Sequence, residues 1–77
     1  MKRDILKKAD YRYDFDRDMY FNRATKKAFG LEFVADTPEQ DLARYIEEPL
    51  NPKGWTIYFN SPPSESVHRE LERFLDK

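Results

Sequence analysis

Seventy-seven residues leave room for one domain with a small core, and the lack of cysteine excludes disulfides and thiolate metal sites. Fourteen basic against fifteen acidic residues give a net charge of −1, which argues against tight binding to a nucleic-acid backbone. Aromatic residues make up 16% of the chain, enough for a few large side chains to build the core. Residues Met1–Lys8 contain no apolar run of signal-peptide length. No stretch approaches the roughly 18–20 apolar residues of a membrane span. The expected location is the cytoplasm.

Residues 2–9 suit a short helix, with Ile5, Leu6 and Ala9 on one side and lysines on the other, or else a basic N-terminal arm. The next stretch organises the chain. Tyr11, Tyr13 and Phe15 alternate with Arg12, Asp14 and Asp16, and the arm continues through Met19–Asn22. A return arm, Lys27–Val34, alternates in the same way at Phe29, Leu31 and Phe33. Period-two alternation in both arms predicts a β-hairpin with one buried face. Asn22 opens its linking turn, where an Asn side chain bonds its own backbone. Asp16-Arg17-Asp18 interrupts the first arm, because Arg17 falls on the apolar face. With no Gly or Pro to mark a turn, the reading is a β-bulge, a device that re-aims side chains and so a place to watch for function.

Thr37-Pro38-Glu39-Gln40 reads as a helix start, with Thr37 and Gln40 as a capping box and Pro38 at the first helical position. Leu42, Tyr45 and Ile46 supply its apolar stripe, and Pro49 ends it at about Glu48. Asn51-Pro52-Lys53-Gly54 has the composition of a type I turn. Trp55–Asn60 then reads as a strand with Trp55, Ile57 and Phe59 facing the core. A last helix begins at Ser61 or Ser64 and aligns Val67, Leu71, Phe74 and Leu75. The expected fold is a single α+β domain over residues 1–77 in the order ββαβα. It has two layers, with both helices on one face of a three- or four-stranded, mostly antiparallel sheet. Tyr20, Thr56 and Tyr58 would lie on the opposite, partly exposed face.

Chemistry-bearing patterns are sparse. Asp14, Asp16 and Asp18 have the spacing of a calcium loop, but Met19 and Thr25 stand where such a loop needs Gly and Glu. A solvated strand face paired with Arg12, Lys26 and Lys27 accounts for them. His68 is the single histidine, so His-pair metal sites are excluded, and no nucleophile motif accompanies it. With only Gly30 and Gly54, a phosphate-cradling glycine loop is absent. No cofactor, metal site or catalytic residue is expected.

Tyr20-Phe21-Asn22-Arg23-Ala24-Thr25-Lys26 resembles the second hairpin of a WW domain, which has an aromatic-Asn-x-x-Thr-basic pattern. The resemblance implies hairpin aromatics that grip proline-rich ligands, with Phe29 near the place of that family's binding Trp. It covers this loop alone, and the flanking Trp and Pro of the family are missing, so it is read as shared turn chemistry.

The expected function is a small protein–protein interaction or regulatory module, acting as a homodimer or as partner of a larger protein. Its candidate binding residues are Tyr20, Arg23, Lys26, Lys27 and Tyr58, because Tyr and Arg are enriched among residues that dominate interface energies. An alternative from another class is single-stranded nucleic-acid binding, in which hairpin aromatics stack on bases beside Arg23, Lys26 and Lys27. An enzyme using His68 ranks below both.

Overall fold

The computed structural model describes residues 1–49 and 53–76. Eight elements follow one another: α1 (Lys2–Lys8), β1 (Arg12–Asp14), β2 (Met19–Asn22), β3 (Lys27–Gly30), α2 (Leu31–Asp36), α3 (Glu39–Glu47), β4 (Thr56–Tyr58) and α4 (Glu65–Leu75). The strands form one mixed sheet in sequence order. β1, β2 and β3 are an antiparallel meander, and β4 joins β3 in parallel. A parallel neighbour requires a crossover, and α2 and α3 supply it. The α+β class holds, and α1 is a docked helix with Leu6 fully buried.

The sheet is covered on both faces, not one. Strand alternation sends Met19, Phe21, Ala28, Ile57 and Phe59 to one side, where they pack with Trp55 against Leu71, Phe74 and Leu75 of α4. It sends Tyr11, Tyr20, Phe29 and Tyr58 to the other, against Leu6 of α1, Phe33 and Val34 of α2, and Leu42, Tyr45 and Ile46 of α3. The register places Tyr13 opposite Tyr20, Tyr20 opposite Phe29 and Phe29 opposite Tyr58, an aromatic row across all four strands. Phe29 and Tyr58 stack at 4.5 Å with an interplanar angle of 9°. The aromatic face expected to stay open is therefore a second core. Its cause is chain economy: α1, α2 and α3 are each too short to stand alone, and this face is what they bury.

Two expected strand arms are cut short. The return arm ends at Gly30, and Leu31–Asp36 is helical. Leu31, Phe33 and Val34 fit a helical spacing as well as an alternating one, so the pattern alone was ambiguous. Gly30 is the extended residue before α2, and it packs closely, since a Cβ there would lie 2.7 Å from the Phe59 ring. The first arm is broken by a turn at residues 15–18, not by a bulge, with Asp14 paired to Met19. Asp14 supplies the chemistry usually sought in Gly or Pro. Its Oδ1 accepts from the Asp16 and Arg17 amides at 2.8 and 3.4 Å, and Asp18 takes the left-handed conformation at φ 48°.

The capping box at Thr37 is also corrected. The Thr37 hydroxyl turns back to the Phe33 carbonyl, 2.6 Å away, and so closes α2, while α3 begins after Pro38 with no side-chain cap. Asp41 and Glu39 do occupy its first turn, where the helix dipole favours acids. Ser64 caps α4 by accepting from the Val67 amide. The expected turn at Asn51–Gly54 falls partly outside the described residues; Gly54 itself has φ 138°, open to glycine at little cost.

Candidate functional site

The sheet has two ends, and they differ in chemistry. At one end lies the β2–β3 turn, residues 23–26, with the C-termini of α1, α3 and α4 around it. Asn22 Oδ1 accepts from the Ala24 and Thr25 amides at 2.8 and 3.2 Å, as its turn position predicts. Its Nδ2 donates to the Ala9 carbonyl at the end of α1, 2.9 Å away. Arg23 Nε donates to the Leu75 carbonyl at the end of α4 at 2.8 Å, with its guanidinium over Phe21. Lys27 is 2% exposed, and its Nζ donates to the carbonyls of Tyr45, Ile46 and Glu48 at the end of α3, at 2.8, 2.9 and 2.5 Å. Burial pushes the Lys27 ammonium below its ordinary pKa, and the nearby Glu48 charge opposes that shift. Three side chains of one hairpin thus donate to carbonyls at three helix ends, where backbone acceptors run short of intrahelical donors; the Tyr45 carbonyl also accepts from the Glu48 amide at 3.4 Å.

This geometry redistributes the expected binding residues. Arg23 and Lys27 are helix caps, and Lys27 is inaccessible. Tyr20 and Tyr58 are half-buried in the second core. The Tyr58 hydroxyl donates to Glu48 Oε2 at 3.1 Å, and burial, then that carboxylate, raises its pKa well above the ordinary value. Phe29, at the place of the WW-type binding residue, is fully buried. Of the five, only Lys26 is exposed without a hydrogen bond or ion pair from its side chain; it closes the turn at φ 56°. Tyr20, Arg23, Lys26, Lys27 and Tyr58 do not share one open surface.

At the other end, the parallel strands β3 and β4 deliver their carboxyl ends side by side, the position where open α/β sheets form crevices. A hollow of about 300 Å³ lies there, lined among others by Arg17, Gly30, Leu31, Phe33, Phe59 and Asn60. The Phe59 ring packs against the Gly30 backbone and forms its floor, an approach that only a residue without Cβ allows. Asp18 and Leu31 join its two walls, since the Leu31 amide donates to the Asp18 carbonyl at 2.8 Å. The Tyr13 hydroxyl donates to Asp18 Oδ1 at 2.9 Å, and that bond raises the phenol's pKa. Phe15, in the turn forming one wall, is 83% exposed and touches Tyr13 edge-on at 4.9 Å between ring centres. Leu31, on the other wall, is 40% exposed.

Clefts that take small-molecule ligands run from roughly 300 to 1,000 Å³, so this hollow sits at the lower limit and suits one large side chain better than a cofactor. Among the described residues, no three His, Cys, Asp or Glu side chains converge to hold a metal ion. His68 lies within reach of Glu72 one turn along α4, at 3.3 Å. Phe15, Leu31 and Phe59 were not among the expected binding residues. The irregularity at Asp16-Arg17-Asp18 was their one signal, read as a bulge that re-aims side chains. No described helix is long and apolar enough to cross a membrane. Comparison with known proteins returned no matching family model, no matching curated protein and no matching solved structure.

Proposed function

We propose that this chain is a cytoplasmic protein-interaction module that docks a partner at the crevice end of its sheet, through Phe15, Leu31 and Phe59. The exposure of Phe15 carries the reading. The backbone of the turn that holds it is set by Asp14 and Asp18. A phenylalanine 83% open to water there is a cost to solubility, and its edge-on contact with Tyr13 is the one ring contact among the described residues that it makes in return. Arg17 and Asp18 of the same turn line the hollow, together with the exposed Leu31 and the Phe59 ring. Aromatic residues around a desolvated pocket are what interface centres are made of. A binding role without catalysis is part of the proposal.

A photo-crosslinking phenylalanine derivative at position 15, with the same group at the exposed Glu70 of α4 as control, tests it in native lysate. A discrete protein adduct at position 15, missing at position 70 and missing again when Leu31→Glu is added, is the expected result. Equal labelling from both positions would refute docking at the crevice. An adduct removed by nuclease would favour the single-stranded nucleic-acid alternative.

A further inference from the structure

The charges around the crevice narrow the chemistry of its partner. We infer that it takes a basic segment of another protein, presenting one bulky apolar side chain between lysines or arginines; this rests on the docking reading above. Asp18 of the turn and Glu32 of α2 line the hollow; Asp14 and Asp16 stand in or next to the same turn, and Asp36 ends α2. Arg17, the one cation lining the hollow, is already held, with Nη1 3.1 Å from Asp14 Oδ2 and its guanidinium carbon 3.8 Å from the centre of the Phe74 ring. Asp18 accepts from Tyr13, and Asp36 accepts from Asn60 Nδ2 at 2.8 Å. The carboxylates of Asp16 and Glu32 are exposed and have no ion pair or hydrogen bond among the described residues. The hollow's lining therefore carries two carboxylates, Asp18 and Glu32, against Arg17, with Asp16 in the adjoining turn and Lys2 bonded to Ala35 farther along α2.

A second copy of this chain does not supply the match. Its opposite end exposes Lys7, Lys8, Arg12 and Lys26, but also Asp10, Glu47 and Glu48. Yet the exposed large apolar side chains of the described residues are Met1, Phe15, Leu31 and Val67, and none belongs to the β2–β3 turn end. Head-to-tail association would bring charge without an anchor. A separate basic chain with its own anchor fits both features: the side chain fills the hollow, and its flanking cations face carboxylates that stay in water. Rim charges of this kind act on association rate and on partner choice, and salt screens them.

A random peptide library displayed on phage and selected against the full chain tests the inference, with the recovered peptides made synthetically and titrated. The expected consensus is a large apolar residue flanked by Lys or Arg. Its affinity should fall about tenfold from low to moderate salt, and about as much in the Asp16→Asn, Glu32→Gln double variant. Leu31→Glu should abolish it. Recovery of neutral or acidic peptides that still depend on Leu31 would overturn the basic partner while leaving the docking site. Peptides indifferent to Leu31 would overturn both. Self-association in sedimentation that Leu31→Glu removes would overturn the inference by making a second copy the occupant.

Discussion

The turns at Asp14–Asp18 and Asn22–Lys26 share a backbone design. Each begins with an Asx side-chain oxygen that accepts from the amides two and three residues on, and each closes with a left-handed residue, Asp18 at φ 48° or Lys26 at φ 56°. Their surroundings differ, although the first turn also meets the body where the Asp18 carbonyl accepts from Leu31 and the Arg17 guanidinium lies over Phe74. The second turn is locked to the body of the protein through Asn22, Arg23 and the adjoining Lys27, which serve the ends of α1, α4 and α3. The first holds Phe15 out in water and leaves the Asp16 carboxylate unpaired among the described residues. Turn chemistry therefore says how the chain reverses and nothing about what the turn is for. What separates a structural turn from a candidate recognition turn is whether helix ends claim its side chains.

The largest expected effect breaks the locked turn. Lys27→Met keeps the aliphatic stem but leaves the carbonyls at the end of α3 without their donor. A hydrogen bond to a charged group contributes about 1.5–3 kcal/mol, and abandoned acceptors add to the loss, so roughly 2–4 kcal/mol is expected in urea denaturation. For a domain of this size each kcal/mol moves Tm by roughly 4–8 °C. A loss below about 1 kcal/mol would mean that water replaces the ammonium, and that the turn is less tightly held than its geometry implies.

A smaller effect compares the two turns directly. Asn22→Ala removes two turn contacts and the bond to Ala9 in a residue only 8% exposed, and should cost about 1–2 kcal/mol. Asp14→Ala removes the same turn contacts and the pair with the more exposed Arg17, but no bond to a helix end, and should cost about 0.5–1 kcal/mol. Equal losses would show that the bond to the end of α1 does not distinguish the turns.

The chain's own residues announced one of these turns and concealed the use of the other. Asn22 was legible because its turn chemistry is local, and the strand expected over Trp55–Asn60, observed at Thr56–Tyr58, because its apolar density is high. The split at residues 15–18 was not, since Asp14 does work for which glycine or proline is the usual signal. The end of β3 at Gly30 was hidden because Leu31, Phe33 and Val34 satisfy both periods. The structural use of Arg23 and Lys27 was hidden for a different reason, although Arg23 stays exposed. A cation beside a turn looks the same in sequence whether it faces a ligand or a helix carbonyl, and only the meeting of three helix C-termini decides between them. Coverage of both sheet faces followed from α2, a helix the alternation did not reveal.

Tyr58 sharpens the comparison through pH. Its pKa is raised in the fold by burial first and then by Glu48, so the unfolded chain loses the phenolic proton earlier, at about the ordinary value of 10.0. The stability it contributes is complete below that pH and is lost as pH rises through the folded value. Tyr11, raised by burial, acts in the same direction. Lys27, lowered in the fold, acts oppositely, adding stability as pH rises from its folded value toward 10.5. Tyr58→Phe should therefore be slightly less stable than the parent at neutral pH, by about 0.5–1 kcal/mol for the lost hydrogen bond. The gap should close above pH 10. A gap that widens there would place the phenolate, not the phenol, in the fold.

The smallest effect on stability belongs to Phe15, and it discriminates most. Phe29→Ala, in the aromatic row, should cost about 3–5 kcal/mol, as large-to-small changes in cores do. Phe15→Ser removes a ring of the same size from a turn that does not need it, and should stay within about 0.5 kcal/mol of the parent. Its Tyr13 contact is the only ring packing it gives up among the described residues. A loss near that of Phe29 would make Phe15 part of the fold and remove the argument for docking. An unchanged denaturation midpoint, together with loss of the adduct trapped from a crosslinker moved to Leu31, would leave recognition as the reason for an aromatic ring in water.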